Sequence, residues 1–340
     1  MKTDTTLDFR KNSLTTFRFL AAIYVLVVHT LVHLKIPEQP VLTSILGIVS
    51  ALPVFFAVSG FSIWRSIGRS SSFKHYLSKR FWRIYPELWV GVAIEIIMIL
   101  LLFKETINWI QLSAFAFTQG TIFQFWTPDF LRAYGCGVPN GSLWTIGVTI
   151  QFYFIAWFLY KFLHNKNIIR WIVFVLFAFV AKAISPILPE FLPSIICKLY
   201  EQTIIAHLWL FAIGIFVSEY FEKIVPVLKK IWWILIILSY TIEHFKFDID
   251  IESYGYFTYT LRVLGIIGFA YLVPAIQVKK DISYGIFIYH MTVVNVMLEL
   301  GVFGKLWHLL IVIAITFVLA FLSSLISDFI VKKRSKKSKI

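Results

Sequence analysis

Runs of about 20 mostly apolar residues recur along the whole chain, and no other feature constrains the fold as much. Such a run crosses the hydrocarbon core of a bilayer as an α-helix, because lipid offers backbone N–H and C=O groups no partner outside their own helix. With 59% hydrophobic and 15% charged residues and a mean hydropathy of +0.80, a water-soluble fold of 340 residues would have to hide more apolar surface than its interior holds. The expected fold class is therefore an all-α polytopic membrane protein.

About ten transmembrane helices are expected, at 14–34, 41–64, 86–103, 143–163, 168–187, 204–220, 225–243, 255–276, 282–300 and 307–330. The seventh run is interrupted by Lys229 and Lys230, so its helix is expected to start after them. Segment 106–126 is also apolar, but its Gln and Thr content and the break Thr127-Pro128-Asp129 suit a re-entrant or interfacial piece. Three parts follow: a cytoplasmic N-terminal segment 1–13, a ten-helix membrane domain 14–330, and a basic cytoplasmic tail 331–340. Of the 32 Lys and Arg residues, 23 then fall on the side of the termini and 7 on the other, with Arg18 and Arg262 inside spans. That bias predicts both termini in the cytoplasm.

The polar amino terminus leads directly into a full-length span without a small-residue cleavage pattern, so no cleaved signal is expected. A net charge of +14 also suits nucleic acid, but the basic residues are spread among loops and not gathered in a patch. Membrane lipids are their expected partners, and nucleic acid is not one. The tail is expected to touch anionic lipid, while the outer loop 243–254 is acidic. Two cysteines, Cys136 and Cys197, are too few for a cysteine-rich metal site or a disulfide framework; two free thiols, no metal and no bound cofactor are expected.

The first span carries an arginine and a histidine, Arg18 and His29, although each costs roughly 2.5–3.5 kcal/mol to insert if charged. Eleven residues apart, they project from one helix face about 16 Å apart along the axis. A histidine suits general-base work near neutral pH; the structural alternatives are a neutral imidazole bonded to a neighbouring helix and an arginine snorkelling to headgroups. In the run Lys79–Trp89, Arg80 and Arg83 lie three residues apart, and guanidinium groups fork onto phosphate oxygens. Positive-inside anchoring beside the third span explains them equally well. Glu95 and Arg262 are buried charges by this topology, and pairing with each other is the simplest expectation. Ser59 and Gly60, small residues ending the second span, permit close helix contact.

The motifs FFAVSGF at 55–61, RFWRIYP at 80–86, SLWTI at 142–146, QFYF at 151–154, LFAIG at 210–214 and ISYGIFIYH at 282–290, together with Arg18 and His29, form an ordered set. In that order the chain resembles the acyltransferase-3 family of integral membrane O-acyltransferases, over about residues 14–330. The resemblance implies transfer of an acyl group, typically acetyl, from acyl-CoA such as acetyl-CoA at the cytoplasmic face to a hydroxyl of a surface polysaccharide or lipid-linked sugar, in the bacterial inner membrane. It implies His29 as general base or transient acyl carrier, Arg18 as the group that orients it or holds the donor's anionic part, and Arg80 and Arg83 on CoA phosphates. Tyr85, Glu95, Trp144, Gln151, Tyr153, Tyr284 and His290 are the further candidates for the pocket. One departure stands out: the family's usual glutamate is replaced by Thr149, with Gln151 or Glu95 the candidates to supply the missing polar contact. The competing readings are a glycan or lipid-precursor transporter, which the absence of an internal repeat disfavours, and a catalytically degenerate relative.

Overall fold

A computed structural model describes residues 8–245, 255–274, 276, 278 and 280–337. Residues 1–7 of the N-terminal segment, 246–254 of the acidic loop, Lys279 and residues 338–340 of the tail lie outside the described residues. The described chain is helical, with thirteen α-helices: α1 (Leu14–His33), α2 (Pro40–Gly47), α3 (Ala51–Gly68), α4 (Phe73–Leu102), α5 (Trp109–Gln119), α6 (Trp144–Leu163), α7 (Ile168–Ile184), α8 (Ser194–Glu201), α9 (Ile204–Glu219), α10 (Phe221–Phe245), α11 (Tyr256–Leu272), α12 (Ser283–Glu299) and α13 (Trp307–Lys337). Among the described residues seven helical stretches are long and apolar enough to cross a membrane, where about ten are expected. At three expected positions α7, α11 and α12 have 17 residues each, about 26 Å at 1.5 Å per residue.

Several boundaries differ from the sequence reading. The third expected span begins at Pro86, a usual first residue of a helix, yet α4 starts at Phe73 and carries Pro86 inside it. Proline removes the N–H that the Trp82 carbonyl would accept, and within that loosened turn the Tyr284 hydroxyl donates to the Ile84 carbonyl at 3.2 Å. Likewise α10 runs through Lys229 and Lys230 without interruption, because long cationic side chains leave at a helix surface while the backbone ladder continues. Segment 106–126 holds only α5, 11 residues or about 16 Å long, too short to cross. Helix α13 extends to Lys337, into the expected tail.

The chain divides into two compact units. The first comprises Met1–Ala21, Gly47–Arg69 and Ala156–Asp281. Here α3 packs on α9 at backbone distance: a Cβ on Gly214 would lie 1.9 Å from the Ala57 carbonyl oxygen, and one on Gly60 would lie 2.5 Å from that of Phe211. Motifs 55–61 and 210–214 thus interlock through their glycines, the small-residue packing of membrane helices. Arg262 in α11 is 4% exposed. It donates to Ser50 Oγ at 2.7 Å and to Ser239 Oγ at 3.4 Å and pairs with Glu243. Glu95 is therefore not its partner, because Glu243 sits one turn beyond Ser239 on the helix packed against α11. Ser50 holds a left-handed conformation, φ +48°, at the break between α2 and α3, costly for an L-residue; the guanidinium fixes its hydroxyl there.

The second unit comprises Ala22–Leu46, Ser70–Ile155 and Ile282–Ile340. Its centre is α12, buried continuously from Gly285 to Asn295 between α4 and α13. At the α4–α13 side Ser323 donates to Glu87 at 2.8 Å, so this buried carboxylate is partnered.

Candidate functional site

Helix α1 passes from the first unit into the second between Ala21 and Ala22, and Arg18 and His29 fall on either side of that division. Arg18 forms an ion pair with Asp281 at 3.7 Å, both partly exposed. His29 belongs to the second unit, as do all the other candidates: Arg80, Arg83, Tyr85, Glu95, Trp144, Gln151, Tyr153, Tyr284 and His290.

The central contact is between rings. His29 Nδ1 lies 2.9 Å from His290 Nε2, with ring centroids 5.1 Å apart and the planes inclined by 28°. His290 Nδ1 lies 3.1 Å from the Ile286 carbonyl oxygen. A carbonyl only accepts, so Nδ1 of His290 carries the proton, and in the neutral ring Nε2 is the acceptor. His29 Nδ1–H therefore donates to it. For two neutral rings this chain of assignments leaves the lone pair of His29 Nε2 unused by either bond. His33, one turn on, meets His29 edge to face at 5.8 Å.

The loop before α6 holds the helix that carries His290. Asn140 donates to the Ile288 carbonyl at 2.8 Å and Ser142 to the Phe287 carbonyl at 3.2 Å. Asn295, fully buried, accepts from the Cys136 N–H at 2.8 Å and donates to the Val138 and Pro139 carbonyls at 3.1 and 2.7 Å. Gly135 closes this wrap with φ +56°, and a Cβ there would fall 2.0 Å from Asn295 Oδ1, so only glycine fits. Sequence reasoning used Ser142 only as part of a motif and passed over Asn140, Asn295 and Asp281. Pro139-Asn140-Gly141 signals a turn, but nothing local shows which helix the turn grips.

Arg80 is half-buried between tyrosines, its Cζ 5.7 Å from the ring centroids of both Tyr76 and Tyr153. Arg83, three residues on, is exposed. Tyr85 stacks on Phe81 at 4.4 Å and approaches Trp89 at 5.6 Å. Trp144 opens α6, where Gln151 is half-buried and Tyr153 buried. Thr149 donates to the Thr145 carbonyl at 2.8 Å and so spends its hydroxyl on its own helix. Glu95 is 1% exposed, and neither carboxyl oxygen has a hydrogen-bond partner among the described residues. Cys136 and Cys197 are free thiols. Among the described residues no group of three His, Cys, Asp or Glu is placed to hold a metal ion.

A helical membrane protein with a half-buried histidine bonded to a buried one and a half-buried arginine between tyrosines has the parts of a group-transfer enzyme. The chain belongs to the acyltransferase-3 family of integral membrane O-acyltransferases: the family model, described as an acyltransferase domain, matches residues 11–327. It is 25% identical over 322 residues to nodulation protein 10 of Rhizobium leguminosarum bv. viciae, covering 87% of this chain and 86% of that protein. It is 27% identical over 314 residues to an O-acetyl transferase of Shigella phage Sf6, covering 85% and 86%. No solved structure gives a significant match. The protein is thus a multi-pass membrane enzyme that transfers acyl groups.

Proposed function

We propose that the protein moves an acetyl group from acetyl-CoA to a hydroxyl of a surface polysaccharide or lipid-linked sugar. The observation that carries this reading is the 2.9 Å contact between His29 and His290. His290 holds His29 in the tautomer whose Nε2 accepts a proton. The acceptor hydroxyl gives its proton to that nitrogen as its oxygen attacks the thioester carbonyl. The C–S bond then breaks, and the departing thiolate takes the proton back from the imidazolium. Nothing is left over, so His29 alone serves as base and then acid. The matched phage protein, an O-acetyl transferase, supports acetyl as the group transferred.

Arg80 and Arg83 bind the phosphates of the donor, and Arg18 holds its anionic part. The charge bias supports an arrangement of ten spans with both termini cytoplasmic, in the bacterial inner membrane. The described residues hold helices at those positions, and seven helical stretches among them are long and apolar enough to cross. The test is mass spectrometry of surface glycans from strains carrying the wild-type gene, its deletion and His29→Gln. A mass equal to one acetyl per repeat, present only with the wild type, is the expected result. Full acetylation in the His29→Gln strain would refute the proposed chemistry.

A further inference from the structure

Three buried polar side chains of the second unit lie apart from the histidine pair. Both carboxyl oxygens of Glu95, the Tyr134 hydroxyl and Thr292 Oγ1 have no hydrogen-bond partner among the described residues. Their residues are 1%, 1% and 4% exposed. Helix packing brings them to one level. A Cβ on Gly91, one turn before Glu95, would lie 2.3 Å from Cγ2 of Ile288, which is one turn before Thr292. The turns that carry Glu95 and Thr292 are therefore neighbours on the packed helices α4 and α12. Tyr134 joins an apolar cluster with Ile99, one turn after Glu95. Two residues later the Cys136 N–H bonds to Asn295, which shares the α12 face of Ile288 and Thr292. His290, two residues before Thr292, projects from the opposite side of α12, toward His29.

An orphaned buried polar group is destabilising, so four such atoms at one level call for an occupant. Its chemistry is narrow. In either protonation state a carboxyl group keeps an oxygen that needs a donor, a phenol needs an acceptor, and a threonine hydroxyl takes either. Burial, with the charges of Glu95 and Glu299 adding to it, pushes the Tyr134 phenol above its usual range, so it keeps its proton. None of the three side chains bonds another, so the missing partner must donate and accept at once.

We propose that Glu95, Tyr134 and Thr292 form a second polar site that binds a hydroxyl group, supplied by internal water or by the alcohol acceptor of acyl transfer. The second source rests on the function proposed above; the first does not. Thermal unfolding of the purified full chain separates them, using wild type, Tyr134→Phe, Thr292→Val and Glu95→Leu, with and without methyl glucoside as the alcohol probe. Tyr134→Phe and Thr292→Val preserve shape, so they report even if Glu95→Leu does not fold. With internal water, both lower the Tm by a few degrees whether or not the glucoside is present. With an alcohol, the glucoside raises the wild-type Tm and this rise disappears in both variants. If the variants keep or raise the Tm under both conditions, the groups bind nothing and the proposal fails. Should His29→Gln keep full transfer, the reaction proposed above falls, while the direction of these Tm shifts still decides this site.

Discussion

Arg262 in the first unit and Glu95 in the second are both ionisable side chains buried within helices, and their surroundings are opposite. The guanidinium has Ser50, Ser239 and Glu243 around it and pins a strained residue at a helix break. The carboxyl group has no hydrogen-bond partner among the described residues. A buried charge that is fully partnered has already spent its bonding capacity on the fold. One without partners retains that capacity for something that binds. The histidine pair lies between these cases: each bond within it is used, but they leave one lone pair, on His29 Nε2, aside.

That contrast breaks or sharpens under substitution. The largest effect falls on the unused lone pair. His29→Gln is expected to lower kcat by roughly 10²–10⁴-fold, the usual worth of a general base, with the Tm of the purified protein unchanged. Loss of folding instead would place His29 beside Arg262 as a structural group. Arg262→Met should do the converse, removing about 1.5–3 kcal/mol of stability through its lost charged hydrogen bonds while the folded fraction keeps its turnover. Denaturation in detergent and activity per folded molecule measure the two halves.

A smaller effect is expected at His290. Gln at 290 still offers an oxygen to His29 Nδ1–H, whereas Leu offers none, so His290→Leu should turn over about tenfold more slowly than His290→Gln, near the net worth of one hydrogen bond. Equal rates would mean that the ring does not position His29. The smallest effect concerns the Cys136 thiol of the second unit. Burial pushes the Cys136 thiol up from its usual range, and the thiolate is the reactive form. Alkylation of Cys136 near pH 8 should therefore be slow and should accelerate as pH rises. Labelling at pH 8 as fast as that of a free cysteine peptide, read by mass spectrometry, would contradict this.

The same contrast shows how much was legible beforehand. The all-helical character was legible because apolar run length is a local property, although among the described residues only seven helical stretches, against about ten expected spans, are long and apolar enough to cross a membrane. The glycines of 55–61 and 210–214 were readable as contact makers, since small size permits approach wherever the partner lies. The continuity of α4 through Pro86 was not readable, because a proline marks a helix start or an internal kink equally well in sequence. Nor was the grip of Asn140 and Ser142 on α12, which joins residues about 145 positions apart.

By itself, the sequence determined an all-helical membrane chain, the family motifs and a list of polar residues too costly to bury without cause. Which of those residues meet was decided by tertiary structure alone. Helix periodicity says which face a side chain occupies but not which helix lies opposite. Arg262 thus found Glu243 in place of Glu95, and Arg18 found Asp281. His29 found His290, 261 positions away, at 2.9 Å. Each pairing follows from helices packing at distances set by small residues and loops, information spread over the whole chain.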